Sequence, residues 1–209
     1  MSFTVVLVGA GDVGRTALAK AVLDRELARL LPGSAHQVVV TTAGVDALEG
    51  MPPSPVLVAA AGRHGLDVAA HRATAMTRGI AESADLLLTM SRKQRAQLVL
   101  QHPGLRSRTF SLVELAVLLR GAAGVPPRPA ISDAGWLEST LRALVPVAAE
   151  QTRHVPPAED GRWDVTDPYA QGAAVHDRVV DEVEDVVRAL ISEVGRLLGS
   201  RATTAVLTA

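Results

Sequence analysis

The segment FTVVLVGAGDVGRTALAKAVL, residues Phe3 to Leu23, joins an apolar run, a glycine-rich turn and the start of a helix-like stretch. The run of valine and leucine favours a buried strand. Gly9, Gly11 and Gly14 follow it in G-x-G-x-x-G spacing. A strand, a glycine-rich turn and a helix in this order are typical of loops whose backbone N–H groups bind an anion at a helix N-terminus.

The glycine spacing leaves three interpretations open. A dinucleotide fingerprint requires an acid at the end of the second strand to hold the ribose hydroxyls. That strand, HQVVVTTAG, ends in Thr41 and Thr42, and the nearest acid, Asp46, lies beyond Gly44. In an oxyanion cradle, Arg15 would instead grip two oxygens of a phosphate with its planar guanidinium. In the third interpretation the glycines only satisfy the backbone angles of a tight turn.

Composition narrows the possible functions. The 209 residues are 48% apolar and carry a net charge of about −1, with no basic run, which argues against general nucleic-acid binding. The absence of cysteine excludes disulfides, zinc–thiolate sites and cysteine nucleophiles. The histidines show no metal-ligand spacing, so we predict no metal and no cofactor. FTVVLV is too short to span a bilayer and follows no basic segment, so we expect a cytoplasmic protein without membrane insertion.

Strand-like runs alternate with helix-like stretches, which predicts an α/β fold with a parallel sheet covered by helices on both faces. The predicted strands are TVVLVG, HQVVVTTAG, DLLLTM and RTFSL. The predicted helices include residues 16–31, the stretch RKQRAQLVLQH after an N-cap at Ser91, and a long closing amphipathic helix, AVHDRVVDEVEDVVRALISEVGRLLG.

Residues 121–162 differ in character, because Pro, Gly and Ala dominate both ends of this stretch. Between those ends, GWLESTLRALVPVAAEQ has a helical pattern that Pro146 is expected to bend or break. We therefore predict one domain over residues 1–199, with a surface insertion at about 121–162 and a flexible tail at 200–209. The apolar residues of the insertion leave two roles open, covering a pocket or pairing two subunits as a homodimer.

Five stretches in order resemble the low-molecular-weight protein tyrosine phosphatases. The family loop has the form C-x-G-N-x-C-R-S, and aligning its arginine with Arg15 places Gly9 on the first cysteine. Further on, TTAG resembles the family's S-S-A-G, and HGLDVAAHRATAMT resembles H-G-I-D-x-x-x-H-x-A-R-x-L. ADLLLTMSRKQRAQL is similar to A-D-x-I-x-x-M-x-x-x-H-x-x-x-L, and WDVTDPYAQG carries the D-P-Y loop. The resemblance extends over about 165 residues.

The resemblance implies a three-layer α/β/α fold with a central four-stranded parallel sheet in the flavodoxin-like order 2-1-3-4. It also implies an anion-binding loop, with Asp167 as the general acid, His71 as a hydrogen-bonding group behind the loop, and Tyr169 at the pocket rim or in packing. The anion-binding residues are Gly9, Ala10, Gly11, Asp12, Val13, Gly14, Arg15 and Thr16.

The family reaction begins with attack on phosphorus by the loop cysteine thiolate. Gly9 stands at that position, and no cysteine elsewhere can replace it. Asp12, in the place of the family asparagine, leaves two roles open, formation of an aspartyl phosphate or bracing of the loop. The sequence thus predicts a pseudophosphatase that binds phosphate, sulfate or a phosphorylated protein. The alternatives are a phosphohydrolase without a cysteine nucleophile and a nucleotide-binding protein that uses the three glycines.

Overall fold

The structure, a computed structural model, describes residues 2–124, 133–155 and 161–199. The predicted tail at 200–209 and two parts of the predicted insertion, 125–132 and 156–160, lie outside the described residues. None of the described helices is long and apolar enough to cross a membrane.

In the described part of the chain, four strands form one parallel sheet. They are β1 (Phe3–Gly9), β2 (Val38–Gly44), β3 (Leu86–Thr89) and β4 (Thr109–Ser111). The strand order is β2-β1-β3-β4, which confirms the predicted order 2-1-3-4. Along β1, Gly9 pairs with Gly44 of β2, and Val8 pairs with Thr89 of β3.

Seven helices connect and cover these strands within the described ranges. They are α1 (Arg15–Leu30), α2 (Pro55–Arg63), α3 (Arg78–Ser83), α4 (Arg92–Gln101), α5 (Leu112–Arg120), α6 (Asp133–Gln151) and α7 (Ala173–Leu198). Ser91 caps α4 as predicted, since its hydroxyl accepts a hydrogen bond from the backbone N–H of Gln94.

The core has two parts because alternate residues of a strand point to opposite faces of the sheet. Val5 and Leu7 of β1 pack with the cluster formed by α1, α2, α5, α6 and α7. Val6 and Val8 pack on the other face with residues of α3 and α4 and with Leu105. This arrangement is the predicted α/β/α fold, built from an aliphatic core.

Helix α6 differs from the expected surface insertion. Leu137, Leu141, Leu144 and Ala148 of this helix are buried in the larger core cluster. The helix also continues through Pro146 without ending there. A row of apolar residues facing the core outweighs the local cost of the proline, because burial of several leucines contributes more free energy than one lost backbone hydrogen bond.

The carboxyl ends of all four strands lie at one edge of the sheet because the strands are parallel. The chain enters α1 there after Gly9 and enters α4 and α5 there after β3 and β4. Ligands of open parallel sheets bind outside this edge, where neighbouring connections leave in opposite directions. The fold therefore places the glycine-rich turn at the position where such sheets bind their ligands.

If α6 belongs to the core, Leu144→Ala should lower the free energy of unfolding by about 2–5 kcal/mol, the usual cost of deleting a buried leucine side chain. Leu100→Ala is the matched control, because Leu100 is 82% exposed, and should change it by less than about 0.5 kcal/mol. Urea denaturation measures both. Equal, small effects would contradict a core role for α6.

Candidate anion-binding site

The turn between β1 and α1 presents the N-terminal end of α1 at the sheet edge. Gly14 is the N-cap of α1 and supplies no side-chain oxygen to the first-turn N–H groups, and the first turn contains no acid. The positive end of the helix dipole and these N–H groups are therefore available to an external anion. Asp12 has a φ of 53°, a left-handed conformation that Asn and Asp tolerate better than most residues and that turns the chain into the helix.

The end of β2 holds this turn through backbone contacts. The N–H groups of Val45 and Asp46 donate to the carbonyl oxygens of Gly9 and Ala10, each at 3.0 Å. Gly44 has no room for a side chain, because a Cβ there would lie 2.3 Å from the Ala10 carbonyl oxygen and 2.9 Å from the Asp12 nitrogen. This close approach gives a physical reason for glycine in the TTAG stretch.

The Asp12 side chain braces the turn from within. The residue is only 2% exposed. Its Oδ2 accepts hydrogen bonds from the Thr42 hydroxyl at 3.0 Å and from the Thr74 backbone N–H at 2.9 Å. Asp12 does not line the cleft above the turn. The carboxyl group thus points into the protein, as the bracing role requires and an aspartyl-phosphate route does not.

Burial raises the pKa of the Asp12 carboxyl above its ordinary value. Hydrogen bonds donated by Thr74 and Thr42, together with the nearby Thr16 hydroxyl and His71, oppose this shift. Oδ1 of Asp12 and Oγ1 of Thr16 are both buried, and neither makes a hydrogen bond of normal geometry within the described residues. One oxygen of the carboxyl is therefore fully paired and the other is not.

His71 supports the same turn from the segment after α2. Its Nε2 lies 2.6 Å from the Asp12 backbone oxygen and 3.7 Å from Oδ1 of the Asp12 side chain. A carbonyl oxygen can only accept, so Nε2 carries the hydrogen in this contact. His71 therefore donates to the backbone of the loop from behind.

Arg15, the first residue of α1, is oriented toward the D-P-Y segment. Its side chain is 11% exposed. One guanidinium nitrogen donates to the Val165 carbonyl oxygen at 3.0 Å, and the other donates to Oδ2 of Asp167 at 2.6 Å. Burial lowers the pKa of Arg15, while Asp167, Asp164 and Glu182 act in the opposite direction. Arginine remains cationic in proteins, so this group brings a positive charge to the cleft.

The segment that carries Asp167 lies across the ends of β3 and β4. Ser111 donates its hydroxyl hydrogen to the Trp163 carbonyl oxygen at 2.8 Å, and the Val165 N–H donates to the Met90 carbonyl oxygen at 2.9 Å. Asp164 accepts a hydrogen bond from the Arg92 backbone N–H at the start of α4. These contacts fix Asp167 beside Arg15, although the two residues are 152 positions apart in sequence.

A cleft of about 280 Å³ opens above the turn. It is lined by Ala10, Arg15, Val45, Asp46, Ser91, Lys93, Gln94, Gln97, Asp164 and Asp167. Two cations and three carboxylates therefore meet around one pocket. Tyr169, which was expected at the rim or in packing, is 81% exposed and is not among the lining residues.

The predicted residues divide into three groups in the structure. Ala10, Arg15 and Asp167 line the cleft, whereas Asp12 and Thr16 are buried behind it. Gly9, Gly11, Val13 and Gly14 form the turn between them. Sequence reasoning missed Asp46, Ser91, Lys93, Gln94, Gln97 and Asp164 as cleft residues. Their positions in the sequence could have identified them as cleft residues. Each one follows the carboxyl end of β2 or β3 or lies beside the D-P-Y segment.

Gly9 and Thr16 are in contact at the bottom of the turn. A Cβ on Gly9 would lie 2.9 Å from Cγ2 of Thr16, closer than real Cβ contacts allow. Gly14 has open space around the corresponding position. Any side chain at residue 9 therefore requires Thr16 to move, whereas one at residue 14 does not.

No group of three His, Asp or Glu side chains within the described residues has the arrangement of a metal site. The three carboxylates of the cleft, Asp46, Asp164 and Asp167, place negative charge near any anion that binds there.

Comparison with known proteins identifies the family. The family model described as low molecular weight phosphotyrosine protein phosphatase matches residues 4–126. The chain belongs to this family. The matched residues include β1, the glycine-rich turn, β2, His71 and α4.

Individual members of the low molecular weight phosphatases agree with this assignment. The chain is 34% identical over 112 residues to the probable low molecular weight protein-tyrosine-phosphatase EpsP of Ralstonia solanacearum, which covers 54% of this chain and 72% of EpsP.

Several solved structures share the fold of this chain. A YwlE mutant from Bacillus subtilis superposes with a TM-score of 0.64 at 21% identity, over 92% of this chain and 99% of its own. The tyrosine phosphatase Wzb from Escherichia coli K30, solved in complex with sulphate, gives a TM-score of 0.62 at 18% identity. The match covers 93% of this chain and 99% of the Wzb chain.

We predict that Gly44→Ala disrupts the site, because the new methyl group would collide with the backbone at Ala10 and Asp12. The unfolding midpoint should fall by roughly 2–4 °C for each kcal/mol of strain in a chain of this size. Gly62→Ala is the control, since Gly62 is an exposed residue of α2 whose added methyl group would meet nothing within 4 Å. Thermal denaturation compares the two variants, and an equal loss in both would contradict the close approach at Gly44.

Proposed function

We propose that this chain is a pseudophosphatase, which binds a phosphate-like oxyanion or a phosphorylated partner at the Gly9–Thr16 loop without turnover. One observation carries this proposal: the turn, the helix end and Arg15 converge on a cleft, while the residue at the position of the family nucleophile is Gly9. The chain contains no cysteine that could take its place.

The charge arrangement supports oxyanion binding. Backbone N–H groups at a helix N-terminus and a guanidinium are the groups that proteins use to bind phosphate and sulfate. The sulfate in the structure of Wzb, a tyrosine phosphatase of the same fold, is in line with this ligand class. The natural ligand would be a phosphorylated group on a protein, since the family is named for phosphotyrosine.

The Arg15–Asp167 contact defines what a bound oxyanion has to displace. A guanidinium can only donate, so Oδ2 of Asp167 accepts the 2.6 Å hydrogen bond from Arg15. Asp167 in this arrangement is a competitor for Arg15. An incoming oxyanion has to exchange with Asp167 for one side of the guanidinium.

Calorimetric titration with inorganic phosphate and with phosphotyrosine tests the proposal. The unmodified protein should bind, and Arg15→Ala should weaken binding by roughly 10- to 100-fold, because charge-assisted hydrogen bonds are worth about 1.5–3 kcal/mol. Arg153→Ala is the control, since among the described residues the Arg153 side chain bonds to Glu150 in its own turn and to no other residue. The same preparation should release no phosphate from an aryl phosphate.

Two results would overturn the proposal. Absence of binding at millimolar ligand would exclude the anion site. Aryl phosphate hydrolysis that disappears in Asp167→Asn would show an active phosphohydrolase, with Asp167 as its acid.

A further inference from the structure

The carboxyl group of Asp12 is buried beneath the loop that would receive an anion, and it carries a negative charge there whenever it is ionised. Ala10 and Arg15, on either side of it in sequence, line the cleft, whereas Asp12 is turned inward and has no exposed side-chain surface. A doubly charged oxyanion over the loop would add charge of the same sign a short distance away. Like charges in a poorly solvated site repel one another strongly.

We propose that the loop takes up a proton at Asp12 when it binds a doubly charged oxyanion, so that Asp12 sets the charge preference of the site. A singly charged oxyanion binds with little proton uptake. This inference rests on the proposed function, because it describes which ligand charge the proposed anion site prefers.

The hydrogen bonds of Asp12 identify the oxygen that takes the proton. Oδ2 accepts from the Thr74 backbone N–H, which can only donate, and from the Thr42 hydroxyl. Oδ1 has no partner of normal geometry within the described residues. A proton on Oδ1 therefore neutralises the carboxylate and leaves both bonds that brace the turn intact.

The neighbours of Asp12 supply little positive charge to compensate the negative charge of its ionised carboxylate. β2 presents Thr42, α1 presents Thr16, and the segment after α2 presents Thr74 and His71. His71 is the group among them that can be charged, 3.7 Å from Oδ1. The guanidinium of Arg15 is directed away, toward Val165 and Asp167.

Burial already raises the pKa of Asp12 in the free protein. A bound dianion acts in the same direction, because it further disfavours the ionised carboxylate. By linkage, the affinity for the dianion rises as the pH falls, about tenfold for each unit by which binding raises that pKa.

Calorimetry with sulfate and with methyl sulfate separates the two ligand charges, since sulfate stays doubly charged and methyl sulfate singly charged from about pH 5 to about pH 8. In the unmodified protein, sulfate affinity should increase steadily toward low pH with net proton uptake, and methyl sulfate affinity should change little. Asp12→Asn keeps an oxygen for Thr42 and Thr74. It should bind sulfate more tightly at about pH 8 and lose most of the pH dependence.

Two further variants exclude other sources of a pH effect. His71→Gln keeps a donor for the Asp12 backbone oxygen and should retain the pH dependence. Asp167→Asn removes the ion pair with Arg15. This variant should raise sulfate affinity at every pH without changing how steeply that affinity depends on pH. If Asp12→Asn does not fold, proton uptake by the His71→Gln variant, measured in two buffers of different ionisation enthalpy, decides the question.

The outcomes distinguish this inference from the proposed function. Sulfate binding whose pH dependence is the same in Asp12→Asn, or binding without proton uptake in His71→Gln, would overturn the inference alone. No sulfate binding at any pH would overturn both.

The free protein gives an independent readout through its stability. A carboxyl whose pKa is raised by folding contributes stability that is fully present below its unfolded value, about 3.8, and is lost as the pH rises through the folded value. As the pH rises, the unfolding midpoint of Asp12→Asn should therefore increase relative to that of the unmodified protein. A constant difference from about pH 4 to about pH 8 would contradict this.

Discussion

The hydrogen bonds of one buried carboxyl group, on Asp12, hold the whole site in place. They join the β1–α1 turn to Thr42 at the end of β2 and to Thr74 after α2, and His71 binds the same residue's backbone from behind. A left-handed residue in a tight turn is stable only if its surroundings determine it. Because these contacts fix the turn, its N–H groups and Arg15 face the cleft in a defined geometry.

The surroundings of the loop are closed rather than empty around residue 9. The methyl group of Thr16 reaches the space that a side chain at Gly9 would need. Asp167 holds one side of the Arg15 guanidinium, and Asp46 and Asp164 add two more carboxylates to the cleft. Under the proposed function, a ligand would bind by competing with charges that the protein already contains.

Much of this could be predicted from the sequence where the pattern is local. The four strands, the Ser91 cap and the long closing helix follow from apolar periodicity and capping chemistry. The inward direction of Asp12 could not be predicted, because its partners Thr42 and Thr74 lie 30 and 62 positions away. The Arg15–Asp167 pair depends on a similarly long-range contact. The burial of α6 was missed since Pro146 and the flanking Pro and Gly residues resemble a surface loop.

Placing a thiol at residue 9 tests the proposed function most directly. The double variant Gly9→Cys/Thr16→Ser supplies that thiol and removes the methyl group that would collide with it. Gly14→Cys is the control, since it places a thiol elsewhere in the same turn, where the new Cβ meets no other atom within 4 Å. Aryl phosphate release should appear in the double variant and be absent from the control and from the unmodified protein. A double variant that binds phosphate with the unmodified affinity yet releases none would contradict the claim that only a nucleophile is missing.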